Sequence, residues 1–226
     1  MPGNGVSGEG RWELGSTPLV IGHRGFPARH PDNSLAGVRT ALSVGADGVE
    51  VDVRRCAGGQ WICHHDRSRL GRPLSAWPQA ALAAAGVPTL AQVAAELSQD
   101  HWLFVEVKPL ARKDLESGLE ELARSVMPRL ARTRALSSSL RVLAVLGSAF
   151  PGLECSWVIG RMPRELPPPG VALSPHHRLL ERLAGSPAPL HPWTVNSRTR
   201  IRETADMRVA SITTNRPDLA VAVLHG

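Results

Sequence analysis

Residues 48–53 read GVEVDV, and the placement of two acids inside that run decides the fold. Successive side chains of a strand point to opposite faces, so Val49, Val51 and Val53 share one face and Glu50 and Asp52 the other. Strand rise puts the two carboxylates roughly 7 Å apart on that second face. In an open sheet covered by helices on both sides, burying them there is very costly. In a closed barrel, the inner face near the carboxyl end of a strand meets an open mouth. Residues 104–108, FVEVK, repeat the device: Val105 and Val107 face one way, Glu106 and Lys108 the other.

Working outward, strand-like runs recur at 18–22, 60–65, 102–108, 156–160, 171–174, 193–195 and 209–214, with a weaker one at 134–139. With 48–53 these make nine candidates for the eight places of a barrel. Helical patterns occupy 33–44, 89–98, 112–131, 140–149, 176–184 and 198–206, with Asn33 and Thr89 as expected caps. The stretch 112–131 carries Leu115, Leu119, Leu122 and Val126 at helical spacing and is expected to be one long helix. Strands alternating with helices imply a parallel α/β sheet. No glycine-rich nucleotide fingerprint follows the first strand, which weakens the open doubly wound version. The inward acids favour a TIM (β/α)8 barrel.

The barrel is expected to fill 18–226 as one domain. Residues 1–17, MPGNGVSGEGRWELGST, read as a flexible tail without the apolar core of a signal peptide. No apolar stretch approaches the roughly 20 residues that span a bilayer. Cys56, Cys63 and Cys155 lack metal-ligand spacing and read as free buried thiols. A cytoplasmic location is the expectation. Net charge is +6, yet of 26 Lys plus Arg only Lys108 and Lys113 are lysine. That balance suits an anionic small-molecule substrate. It also suits non-specific attraction to nucleic acid, but no specific nucleic-acid motif is present. Oligomeric state is not encoded in any feature of the chain.

Glu50, Asp52 and Glu106 together make a hard, all-oxygen donor set suited to one divalent cation, Mg²⁺ or Ca²⁺, rather than zinc. The competing reading is a set of salt bridges with the many arginines. The first strand ends in His23-Arg24 between Gly22 and Gly25, glycines expected to leave room for a phosphate. The run 60–66, QWICHHD, ends in His64-His65-Asp66, and strand alternation lets only one of the two histidines face inward. Two histidines beside a bound cation form a layout for splitting phosphate esters, one activating the nucleophile and one protonating the leaving oxygen.

The ordered motifs HRG (23–25), PDNS (31–34), GADGVEVDV (45–53), HHD (64–66), VPTLAQV (87–93), VEVKP (105–109), PWTVN (192–196) and ITTNRPD (212–218) resemble the glycerophosphodiester phosphodiesterases. Those enzymes are TIM barrels of the PLC-like phosphodiesterase type. The resemblance implies metal-dependent hydrolysis of a glycerophosphodiester to glycerol 3-phosphate and an alcohol. It implies His23 and His65 as the acid–base pair, Glu50, Asp52 and Glu106 as metal ligands, and Arg24 and Lys108 as phosphate contacts. Trp193 then forms an apolar wall for the alcohol, and His64 falls outside the motif. Departures are the shortened acid Asp32 and Ser34 in PDNS, CAGG (56–59) in place of an acid-bearing turn, and SSSL (137–140) without the family's Ser-Phe. The stretch 67–87 is also short for the family's capping insertion. The short capping stretch leaves a lysophospholipase D-type activity on larger headgroups as an alternative. A catalytically silent phosphodiester-binding barrel is a second, against which the complete set of His23, His65, Glu50, Asp52 and Glu106 argues.

Overall fold

The computed structural model describes residues 17–226, so the expected tail lies, apart from Thr17, outside the described residues. Strands β1 (Leu19–His23) and β2 (Gly48–Arg55) run parallel. Strand β3 (Trp61–Cys63) turns back antiparallel on the end of β2, and β4 (Ser68–Arg69) with β5 (Arg72–Pro73) make a separate hairpin. The parallel sheet resumes with β6 (Trp102–Val107), β7 (Thr133–Ser137), β8 (Glu154–Ile159), β9 (Val171–Pro175) and β10 (Ser211–Thr214). Its order is β10-β1-β2-β6-β7-β8-β9.

Residues 189–195 fill the gap between β9 and β10 and close the ring. Toward β9, the Leu173 N–H donates to the Pro189 carbonyl (3.0 Å), His191 to Leu173 (2.8 Å) and Trp193 to Pro175 (3.0 Å). Toward β10, Ala210 donates to Leu190 (2.9 Å), Thr213 to Pro192 (3.0 Å) and Val195 to Thr213 (3.0 Å). The segment bonds as a parallel strand on both sides. Pro189 and Pro192 have no N–H to give, so its ladder is interrupted and only isolated bridges form. The fold is an α/β TIM barrel.

This resolves the surplus strand candidate. The run 60–65 is not a barrel strand, because its centre, β3, is antiparallel and lies off the ring. The weak run at 134–139 is a barrel strand, β7. Strand phase is as expected: Val49, Val51, Val53, Leu103, Val105 and Val107 pack outward in the main core with the helices. Ile21, Trp102, Phe104 and Leu136 form an apolar plug inside the barrel.

The helices are α1 (Leu35–Ser43), α2 (Gln79–Ala84), α3 (Leu90–Glu96), α4 (Arg112–Glu116), α5 (Leu119–Val126), α6 (Leu140–Ala149), α7 (Arg198–Asp206) and α8 (Pro217–Leu224). Thr89 caps α3 through a capping box with Gln92. The cap of α1 is Ser34, whose Oγ accepts from the Gly37 N–H, rather than Asn33. The expected long helix at 112–131 breaks into α4, α5 and a 3-10 segment, Met127–Arg132. The break at Ser117-Gly118 has a tertiary cause. The Trp61 Nε1–H donates to the Gly118 carbonyl (2.9 Å), and Arg55 Nη1 to the Asp114 carbonyl and Ser117 Oγ (2.5 Å each). A Cβ on Gly118 would stand 3.0 Å from the Trp61 ring, so this glycine is where the indole docks. The pattern at 176–184 likewise forms a 3-10 segment, His177–Leu183. In the short 67–87 stretch, the β4–β5 hairpin and α2 enclose a small core of Ile62, Leu74, Leu82 and Val87 with Cys56. No helix among the described residues is long and apolar enough to cross a membrane.

Candidate active site

Pairing register brings the acids to the mouth. His23 lies beside Glu50 across β1–β2, and Asp52 beside Glu106 across β2–β6. One oxygen from each of Glu50, Asp52 and Glu106 falls within 4.8 Å of the others. Seven of the eight expected site residues line one pocket: His23, Arg24, Glu50, His65, Glu106, Lys108 and Trp193. Asp52 sits just behind them, fully buried. The expected salt bridges are present as well as the carboxylate cluster. Lys108 Nζ lies 2.6 Å from Asp52 and 2.7 Å from Glu106, and Arg24 Nε 3.0 Å from Asp52. The other arm of Arg24 reaches Asp32 (2.6 Å), so the shortened acid of PDNS holds this guanidinium.

Charge within the cluster is unevenly balanced. Burial by itself raises the Asp52 carboxyl, but Lys108 and Arg24 outweigh it and hold it below the usual carboxylate range. Burial, then Asp52 and Glu106, push Glu50 well above that range. The Glu50 Oε1 atom is buried without a hydrogen-bond partner among the described residues. An orphaned carboxylate oxygen with two further carboxylates in reach, all hard donors, fits a divalent cation such as Mg²⁺ or Ca²⁺.

The histidines differ in setting. His23 is largely buried, and burial followed by the Arg24 charge lowers it to about 4. Its Nδ1 lies 2.7 Å from Asn215 Oδ1, and its Nε2 faces Glu50 at 3.9 Å. His65 is half-exposed, with Nδ1 2.8 Å from Asp66 Oδ1, and its carbonyl accepts from Arg54 Nε (2.8 Å). The hydrogen bond with the His65 ring holds the Asp66 carboxyl below its usual range. His64 stays out of the pocket lining and bonds with the Asp66 backbone; both histidines lie beyond the end of β3, so strand alternation does not set their directions. Trp193 forms one wall with Leu136 and Val158, its Nε1–H donating to the Ser174 carbonyl (2.8 Å).

The two glycines of GHRG permit close backbone approach. A Cβ on Gly22 would lie 2.4 Å from the Gly25 carbonyl oxygen, and one on Gly25 2.7 Å from the backbone of Gly37 in α1. Gly25 also adopts φ +85. Close approach of the turn and of α1 demands glycine at both positions.

Several site residues escaped sequence reasoning. Asn33, at φ +59 and buried, donates from Nδ2 to Asp52 Oδ2 and accepts the Asp52 N–H at Oδ1, both at 3.0 Å. Its signal lay in PDNS, where it read as a helix cap. Asn215, in ITTNRPD, touches His23. His191 and Thr213 reach the pocket from the closing segment and β10. Beneath them lies an ion pair between Arg134 and Glu154. Nothing in the apolar pattern of β7 signals a buried arginine.

The family model of glycerophosphoryl diester phosphodiesterases matches residues 23–76. A Mycobacterium tuberculosis protein named probable glycerophosphodiester phosphodiesterase 1 is 49% identical over 59 residues. That alignment covers 26% of this chain and spans 21% of the relative's length. Among solved structures, a glycerophosphodiester phosphodiesterase from Parabacteroides distasonis superposes with a TM-score of 0.79 at 24% identity, over 92% of this chain and 97% of that one. A phosphodiesterase from Oleispira antarctica, solved with the product sn-glycerol-3-phosphate, gives 0.81 at 17% identity, over 93% and 98%. These likenesses establish the same barrel. The block at 23–76 that matches the glycerophosphoryl diester phosphodiesterase family model lies at the mouth of that barrel, and the likeness to the family rests on it.

Proposed function

We propose that the protein hydrolyses glycerophosphodiesters to glycerol 3-phosphate and an alcohol, using one divalent cation, Mg²⁺ or Ca²⁺, and residues 18–226 as a single catalytic unit. The observation that carries this reading is the meeting of two histidines, three carboxylates and two cationic side chains around one pocket. Glu50, Asp52 and Glu106 would hold the cation, which supplies Lewis-acid charge to a phosphoryl oxygen. Arg24 and Lys108 balance charge as it builds on the phosphate. His23, kept neutral by burial, accepts the nucleophile's proton at Nε2. His65 protonates the leaving alcohol oxygen, with Asp66 orienting its ring. The wall of Trp193, Leu136 and Val158 receives the apolar part of the alcohol.

The test is release of glycerol 3-phosphate from a panel of glycerophosphodiesters and lysophospholipids, with and without EDTA. Turnover should require the cation, and His23→Ala or His65→Ala should each lower kcat at least about 100-fold. His64→Ala should cost far less. Full activity in EDTA removes the cation from the scheme, and unchanged activity in both histidine variants removes the acid–base pair.

A further inference from the structure

Asn215 follows β10, 192 residues along the chain from His23, yet its Oδ1 lies 2.7 Å from His23 Nδ1. An amide oxygen only accepts, so Nδ1 carries the ring hydrogen and Nε2 keeps its lone pair. Nε2 is the nitrogen on the Glu50 side, where the ring lines the pocket.

The amide is itself held in place. The Asn215 N–H donates to Asn196 Oδ1 (2.9 Å), and Thr214 Oγ1 donates to the same oxygen (3.3 Å). The Arg216 N–H in turn donates to Thr214 Oγ1 (3.0 Å). Asn196 directly follows the closing segment 189–195, and Thr214 ends β10. Two neighbouring barrel positions therefore fix the turn that presents Asn215 to β1.

We infer that Asn215 is a positioning residue that selects the His23 tautomer, aiming a proton-accepting Nε2 at the substrate. The inference rests on the reading of His23 as an acid–base group, but its structural half stands apart from turnover. An amide does this without adding a charge. A carboxylate at 215 would also accept from Nδ1, but it would bring a further negative charge close to Glu50, Asp52 and Glu106. Loss of the acceptor frees the ring to take the other tautomer, which places a hydrogen on Nε2 and blocks proton uptake there.

The experiment combines ¹⁵N NMR of the histidine-labelled full chain with steady-state kinetics. The His23 signal is assigned by its loss in His23→Ala. Wild type should show His23 protonated at Nδ1 and bare at Nε2. Asn215→Leu should shift it toward the Nε2–H form and lower kcat about 10- to 100-fold with KM little changed. Asn215→Asp, which keeps an oxygen acceptor, should restore the Nδ1–H signal. Wild-type His23 in the Nε2–H form would overturn the inference even if Asn215→Leu fails to fold. An unchanged tautomer in a folded Asn215→Leu would overturn it too. A tautomer that switches while kcat holds leaves the positioning in place and sinks the acid–base reading of His23 instead.

Discussion

Lys108 shows what a single side chain does in this cluster. It is one of two lysines in the chain, and its ammonium sits between Asp52 and Glu106 with little exposure to water. Those two carboxylates raise its affinity for the proton against the effect of burial. Removing one partner of a buried ion pair leaves the other charge uncompensated. Lys108→Met should therefore cost about 3 kcal/mol of stability in EDTA. Because Asp52 and Glu106 then lack their nearest cation, the variant should gain more from Mg²⁺ or Ca²⁺ than wild type does. Thermal unfolding of both proteins with and without the cation measures this, and equal shifts would remove the cluster's role in holding it. At this scale the sequence was most legible where a two-residue period carried the signal. Glu50, Asp52, Glu106 and Lys108 alternate with valines, and that alternation alone turns them inward. Asn33 and Asn215 were not legible, because each acts on a residue brought near only by the fold.

Among the elements, the 3-10 segment Met127–Arg132 has a role that helical spacing could not suggest. Buried Arg129 donates to the carbonyls of Ala94 (3.2 Å) and Leu97 (3.1 Å) from Nη1, and of Ser98 (2.8 Å) and His101 (2.7 Å) from Nη2. One guanidinium thus satisfies the carbonyl end of α3 and the turn that leads into β6. Arg129→Met keeps the stem but leaves those carbonyls without their donor, and should destabilise the protein by about 3 kcal/mol. Urea unfolding tests it; a change below about 0.5 kcal/mol would show that water replaces the guanidinium. Amphipathic spacing found α6 and α7 at their observed bounds, because each packs one face and ends at ordinary caps. It joined α4 to α5 because the Trp61 side chain that separates them comes from another part of the chain.

For the molecule as a whole, closing the ring buries polar groups in the barrel interior. His191, fully buried with Nδ1 2.8 Å from Ser211 Oγ, is driven well below its usual range by burial and then by Arg134. Its folded affinity for protons is depressed, so the unfolded chain takes up the extra proton as pH falls below about 6.5. The stability that His191 contributes is complete above that pH and declines below it. Glu50, with its raised value, acts in the opposite sense, so the clean measurement is a difference. Between pH 7.5 and 5, the urea midpoint of wild type should fall relative to that of His191→Asn, and parallel profiles would contradict the assignment. The barrel class, the inward acids, the His23 and His65 ends and the resemblance to the phosphodiesterases were legible in the chain, because those signals are local patterns and short motifs. Folding settled which run lies off the ring, how 189–195 closes it despite two prolines, and that Asn33 and Asn215 support Asp52 and His23. Those outcomes depend on hydrogen bonds and close contacts between distant segments, which no local period records.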